Sequence, residues 1–183
     1  MKKLNITTLL FCLILFFTAC GPSLNKIEDV TQLKPDDAKA AYNIGIAKYD
    51  LKDYTGAIAD FNKAIQVNPD YANAYMFRGA AKSDLKDYTG AIADYNKGIQ
   101  LKPDNADAYS IRGVAKMFLQ DYRGAIADLN KAIQLNPDNA NFYYTRGNLK
   151  DVLKDKTGAC LDWSKAGELG YSDAYTNIKN FCQ

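Results

Sequence analysis

An all-α solenoid of antiparallel helix pairs is the fold this 183-residue sequence predicts, and three observations predict it. One phrase recurs every 34 residues: DYTGAIADFNKAI from Asp53, DYTGAIADYNKGI from Asp87, DYRGAIADLNKAI from Asp121 and a decayed DKTGACLDWSKAG from Asp155. Prolines fall in the same register at 35, 69, 103 and 137. Small residues do likewise, as Gly45, Gly79, Gly113 and Gly147 and as Ala57, Ala91, Ala125 and Ala159, with Phe61, Tyr95, Leu129 and Trp163 completing the set. A unit of this size cannot bury an apolar face alone, so repetition at this pitch implies stacking.

The segments follow in chain order. Residues 1–19 read as a cleaved signal peptide: Lys2 and Lys3 precede an apolar core from Leu9 to Phe17, then Thr18 and Ala19. The apolar run is short for a membrane span, although an uncleaved anchor is the alternative. FTAC at its end resembles the lipobox of bacterial lipoproteins, with Phe17 where Leu is usual. That resemblance implies that Cys20 is acylated and becomes the mature N-terminus; the alternative is an ordinary signal peptide with a cysteine near its cut. Acyl chains favour membrane binding by roughly 0.8 kcal/mol per buried methylene. Cleavage removes two of the 23 basic residues and leaves 21 against 21 acidic ones.

Residues 20–36 would then hold the lipidated terminus and a degenerate capping helix over 23–33, with Leu24, Ile27 and Val30 on one face. Repeat 1 occupies 37–70, with helices over 38–51 and 54–67. Asp53 stands between them as an N-cap, and Asn68-Pro69 ends the second. Gly45 and Ala57 let the two backbones approach, and Phe61 fills the space beside them. Repeats 2, 3 and 4 follow at 71–104, 105–138 and 139–172. A capping helix over 173–183 carries Tyr175, Ile178 and Phe181 at helical spacing, to cover the last apolar face.

Gly45, Ala57, Phe61, Ala64 and Pro69 together resemble the tetratricopeptide repeat motif. So do Gly79, Ala91, Tyr95, Gly98 and Pro103, then Gly113, Ala125, Leu129, Ala132 and Pro137. The fourth set, Gly147, Ala159, Trp163 and Ala166, has Tyr171 for the proline. The resemblance implies a right-handed α-solenoid that binds other proteins. Lys48, Lys82, Lys116 and Lys150 stand where the family often has an aromatic, which is expected to alter the seam between neighbouring repeats.

Arg78, Arg112 and Arg146 precede the first-helix glycines, and Asp94, Asp128 and Asp162 lie sixteen residues on. A helix hairpin brings each pair to one height, so structural Arg–Asp bridges are expected. Repeat 1 has Ile44 in place of the arginine, and Asp60 is expected to meet Arg78 instead.

The resemblance also places recognition on a concave groove lined by the first helices. Tyr42, Ile46 and Tyr49 fall there in repeat 1, and Met76 with Phe77 in repeat 2. Ile111, Val114, Met117 and Phe118 follow in repeat 3, and Tyr144 in repeat 4. Asn73, Ala80, Ser83, Asp107, Ser110, Asn141, Asn148 and Asp151 share the face with Lys39. Aromatic and methionine side chains are favoured interface anchors. Some family members hold a terminal carboxylate with polar groove residues, but Tyr42 and Ile46 occupy positions such a clamp needs polar. Docking of an apolar peptide or helix is therefore expected, and exchanging Tyr42, Met76 and Met117 together for Asp is expected to abolish it without unfolding.

Other classes of function lose ground. Basic and acidic residues number 23 and 21, without the positive excess that nucleic-acid binding requires. Histidine is absent, which removes Ser-His and Cys-His catalysis and imidazole ligation. No CxxC pair or Gly-rich phosphate loop occurs, and Asp36-Asp37 reads as a helix cap rather than a cation site. The sequence thus predicts no enzyme, cofactor, metal or small-molecule substrate. Cys160 and Cys182 lie on elements that should pack together, and export would favour a disulfide. Bridge and buried free thiols are both open.

The expected protein is a scaffold in the bacterial cell envelope, lipid-anchored on the extracytoplasmic side of the inner or outer membrane. It would hold a protein partner and contribute to assembling an envelope complex. The alternative is a self-associating structural protein or a regulator of a cell-wall enzyme.

Overall fold

A computed structural model describes residues 35–182. The leader, Cys20 and the helix expected over 23–33 lie outside the described residues. Within them the chain forms nine helices and no strand: α1 (Pro35–Asp50), α2 (Tyr54–Val67), α3 (Ala72–Asp84), α4 (Tyr88–Leu101), α5 (Ala106–Phe118), α6 (Tyr122–Leu135), α7 (Ala140–Val152), α8 (Lys156–Glu168) and α9 (Asp173–Phe181). Each helix packs on the next, and α1 also meets α3. The helix pairs therefore stack as the period predicts.

Local signals set the helix ends. Asp53, Asp87, Asp121 and Asp155 each accept a bond, at 2.9 Å, from the backbone N–H of the glycine three residues on. α1 starts three residues earlier than expected. Pro35 suits a first helical turn, where an N–H would have no partner, and Asp36 and Asp37 complement the helix dipole there.

The turns within the pairs share one geometry. Lys52, Lys86, Gln120 and Lys154 have φ between 62° and 65°, the left-handed region. Around Lys86, its own N–H donates to the Ser83 carbonyl and that of Asp87 to the Lys82 carbonyl, both at 2.8 Å. This double closure satisfies two orphan carbonyls, and it usually employs glycine. A side chain there costs on the order of 1–2 kcal/mol, partly offset by glycine's greater freedom in the unfolded chain. Lys86→Gly should therefore stabilise by about 1 kcal/mol, raising Tm by roughly 2–4 °C. Gly90→Ala should lower Tm, because its new Cβ would meet the capping Asp87 carboxylate. Thermal melts of the two variants should move in opposite directions.

The core sits between paired helices. A Cβ added at Gly45 would lie 2.6 Å from the Phe61 ring, and one at Gly147 would lie 2.8 Å from the Trp163 indole. Glycine thus makes the seat that the large side chain fills. Phe61, Leu129 and Trp163 are buried, each worth roughly 1.5–3 kcal/mol over exposure.

The terminal helix covers less than expected. Ala174 is its buried residue, while Tyr175 and Phe181 remain exposed and Ile178 half-buried. Tyr175 lies over Gly167 and donates to its carbonyl at 3.0 Å. Cys160 of α8 and Cys182, just past α9, are joined by a disulfide with Sγ–Sγ 2.01 Å.

A candidate partner groove on the odd-numbered helices

Alanine and glycine on one side of each pair bring the backbones together, leaving α3, α5 and α7 free to present variable residues on another face. Three adjoining cavities form there. The first, about 290 Å³, is lined by Asn73, Met76, Phe77, Ala80, Asn105, Asp107 and Ile111. The second, about 200 Å³, shares Ala80 and Ile111 and adds Tyr49, Ser83, Asp84, Tyr95 and Val114. The third, about 330 Å³, shares Val114 and adds Met117, Phe118, Tyr122, Thr145, Asn148, Leu149 and Val152. Shared residues make the three a continuous trough, apolar at both ends and polar in the middle.

Seven of the ten residues expected in the groove line this trough: Tyr49, Met76, Phe77, Ile111, Val114, Met117 and Phe118. Phe118 is 61% exposed even though it stacks on Tyr88 with ring centroids 4.5 Å apart. Tyr49 packs on Tyr54 and Phe77 and donates from its hydroxyl to Asp84 Oδ2 at 2.6 Å. Burial and then the Asp84 carboxylate push that phenol well above its ordinary pKa.

The remaining three serve packing or stand apart. Tyr42 is held among Phe61, Tyr71 and Phe77, with centroids 5.0–5.9 Å away. Tyr144 stacks on Tyr171 at 4.4 Å. Ile46, half-buried, lines none of the three cavities. Met76 has a double role. It lines the trough yet is only 9% exposed, and it packs with Tyr95 and Ile99. Its sulfur occupies the space a Cβ on Gly98 would need. An aspartate at Met76 would bury a charge in that cluster, so the triple exchange expected to spare the fold would instead disrupt it.

Sequence reading missed Asp84, Tyr95, Asn105, Tyr122, Thr145, Leu149 and Val152 as lining residues. Phe118 marked the column of Asp84 and Val152, which lie one repeat before and after it. Their unlike side chains concealed the equivalence.

The charged residues lie inside the repeats. Arg78 grips Asp94 with two bonds, Nε at 2.9 Å and Nη2 at 2.5 Å, and its Nη1 donates to Asn62 of the preceding pair at 2.6 Å. Arg112 repeats this with Asp128 and Asn96, and Arg146 with Asp162 and Asn130. Each guanidinium also lies 5.3–5.7 Å from a tyrosine ring centroid, over Tyr75, Tyr109 or Tyr143.

Lys82, Lys116 and Lys150, which stand where the family often has an aromatic, pair with those same aspartates at 2.7–2.9 Å, within their own repeat. Arg–Asn bonds bridge neighbouring repeats, as does the Tyr49 bond to Asp84. Asp60 meets Lys48 and Lys63 rather than Arg78, whose free arm reaches Asn62. The hydrogen bonds from Lys48 and Lys63 hold the Asp60 carboxyl below the usual carboxylate range. A pKa lowered on folding stabilises above the unfolded value and loses that contribution as pH falls through the folded one.

A tetratricopeptide repeat model matches residues 38–71, and a TPR repeat model matches 79–117 and 118–150. Among solved structures the chain is similar to a MamA protein, at 26% identity and TM-score 0.72, over 79% of this chain and 80% of that one. It is also similar to MamA (41-end) from Desulfovibrio magneticus RS-1, at 25% and 0.70, over 78% of each chain. A third likeness is to the Arabidopsis OM64 TPR domain, at 28% and 0.62, over 64% of this chain and 97% of that one. No curated protein matches the chain.

Proposed function

This chain belongs to the tetratricopeptide repeat family, and from that premise we propose a protein-interaction scaffold that takes a peptide or helix of a partner in the trough across α3, α5 and α7. The observation that carries this reading is the exposure of Phe77, Ile111 and Phe118 beside cavities large enough for apolar side chains. A soluble domain gains nothing in stability from presenting a phenylalanine that is mostly wet, whereas a partner would desolvate it. We further propose that acylated Cys20 tethers the scaffold to a membrane of the bacterial envelope, where it helps assemble a complex. FTAC and the apolar run before it support that part.

The test places a photo-crosslinking phenylalanine analogue at Phe118 and, as a control, at Leu161, an exposed apolar residue of α8 away from the trough. A discrete adduct from 118 with none from 161 is expected. Adducts of equal yield from both would show mere stickiness. In the same cells, a clickable palmitate analogue should label the wild type and not Cys20→Ser; label on neither removes the tether and leaves the groove reading standing.

A further inference from the structure

The trough carries a charge asymmetry that selects among partners. Asp107 lines its first cavity and Asp84 its second, while no lysine or arginine lines any of the three. Asp84 has a neutral phenol as its hydrogen-bond partner, and neither aspartate is in an ion pair with a described residue. At the rim, Lys102 donates to Asn73 at 3.3 Å. The other lysines and arginines of the odd helices α3, α5 and α7 are engaged with Asp94, Asp128 and Asp162. Asp107 also lies in the first turn of α5, where the helix dipole favours it. Asp84 lies in the last turn of α3, where the dipole does not, so its position has no such local explanation.

Resting on the groove reading above, we infer that the trough receives a short cationic segment of a partner protein. Apolar side chains of that segment enter the two larger cavities, beside Phe77 and Ile111 at one end and Phe118 and Val152 at the other. Between them a lysine or arginine lies over the middle cavity against Asp84, and a second meets Asp107. Both carboxylates are exposed at the trough surface, so charge-assisted bonds to them give such a segment direction and register and are screened by salt. An acidic segment, or a terminal carboxylate, would instead meet like charge with no cation in the trough to receive it.

The test selects a random peptide library, displayed on phage, against the full chain in detergent, then measures winning peptides by fluorescence anisotropy. Lys or Arg between apolar residues should dominate the winners. Asp84→Asn and Asp107→Asn should each weaken binding roughly several-fold, with unchanged helicity, and the wild-type affinity should fall steeply with salt. Winners with acidic or no charge preference, or binding indifferent to both Asn variants, would overturn the inference. If such winners still lose binding on Phe118→Ser, the groove reading survives and only its charge preference fails. No winner dependent on Phe118, or a trough already closed by a second copy and seen as a dimer in sedimentation, overturns both.

Discussion

Asp128→Ala should cost about 3–5 kcal/mol, more than a typical surface change by a wide margin. The carboxylate is 4% exposed and accepts from Arg112 Nε at 2.9 Å and Nη2 at 2.5 Å, with Lys116 Nζ at 2.8 Å. Both cations are themselves largely covered, with 17% and 19% of their side-chain surface exposed. Truncating the anion leaves two poorly solvated positive charges side by side. Because the site is in the third pair, with neighbours on both sides, the loss spreads through both interfaces of that pair. A thermal melt should drop by on the order of 10 °C.

Two comparisons separate charge from packing. Exchanging Arg112, Lys116 and Asp128 together for Met, Leu and Leu should recover most of the loss, since it removes the stranded charges along with the bonds. A triple variant as unstable as Asp128→Ala would show instead that the Arg112 bond to Asn96 carries the junction. Asp60→Ala should be milder, because its partners Lys48 and Lys63 are considerably more exposed and water compensates them when the anion is lost.

Periodicity made the scaffold legible. The helix pairs, the N-capping aspartates and the seats made by Gly45 and Gly147 all follow from residues recurring at one pitch, and every copy obeys the same packing rule. The Arg–Asp bridges were readable for the same reason. What periodicity conceals is direction. Lys82 recurs as faithfully as Arg78, yet spacing alone does not say that its ammonium turns inward to Asp94, nor that Arg78 spans to Asn62 of the pair before. Met76 was misjudged because its burial depends on Gly98, a residue of another helix that replaces the alanine of repeats 1, 3 and 4. Tyr42 and Tyr144 were misjudged because tyrosine serves packing and recognition equally well, and only the positions of Tyr71 and Tyr171 decide. Recognition sites escape a repeat-based reading because they are built from the residues that fail to repeat.

Opening the Cys160–Cys182 disulfide should release α9 before the rest of the solenoid unfolds. That helix is held thinly, with Ala174 as its buried residue, one tyrosine bond to Gly167 and a bond from Asn177 to Asn148 at 3.2 Å. The bridge closes a loop spanning 22 residues and contributes roughly 3 kcal/mol in the chain-entropy picture. Beneath α9 lies Trp163, the one tryptophan of the chain, 2% exposed with Phe181 at 5.9 Å and Asn148 accepting from its Nε1 at 2.8 Å. Its emission therefore reports on the cap, whereas far-ultraviolet dichroism reports on all the helices. In the bridged protein the two signals should change together as urea rises, since loss of the cap and of the stack are one event. In Cys160→Ser/Cys182→Ser, or after reduction, the tryptophan signal should shift to the red at lower urea while most helicity persists. Coincident transitions in both forms would mean that Asn177, Tyr175 and Ala174 suffice to hold the cap, and that the bridge acts on the unfolded chain alone. The order of events follows from where apolar surface is buried. The inner helices pack on an element before and after them, whereas α9 packs chiefly on α8, with one bond to α7 and a covalent link.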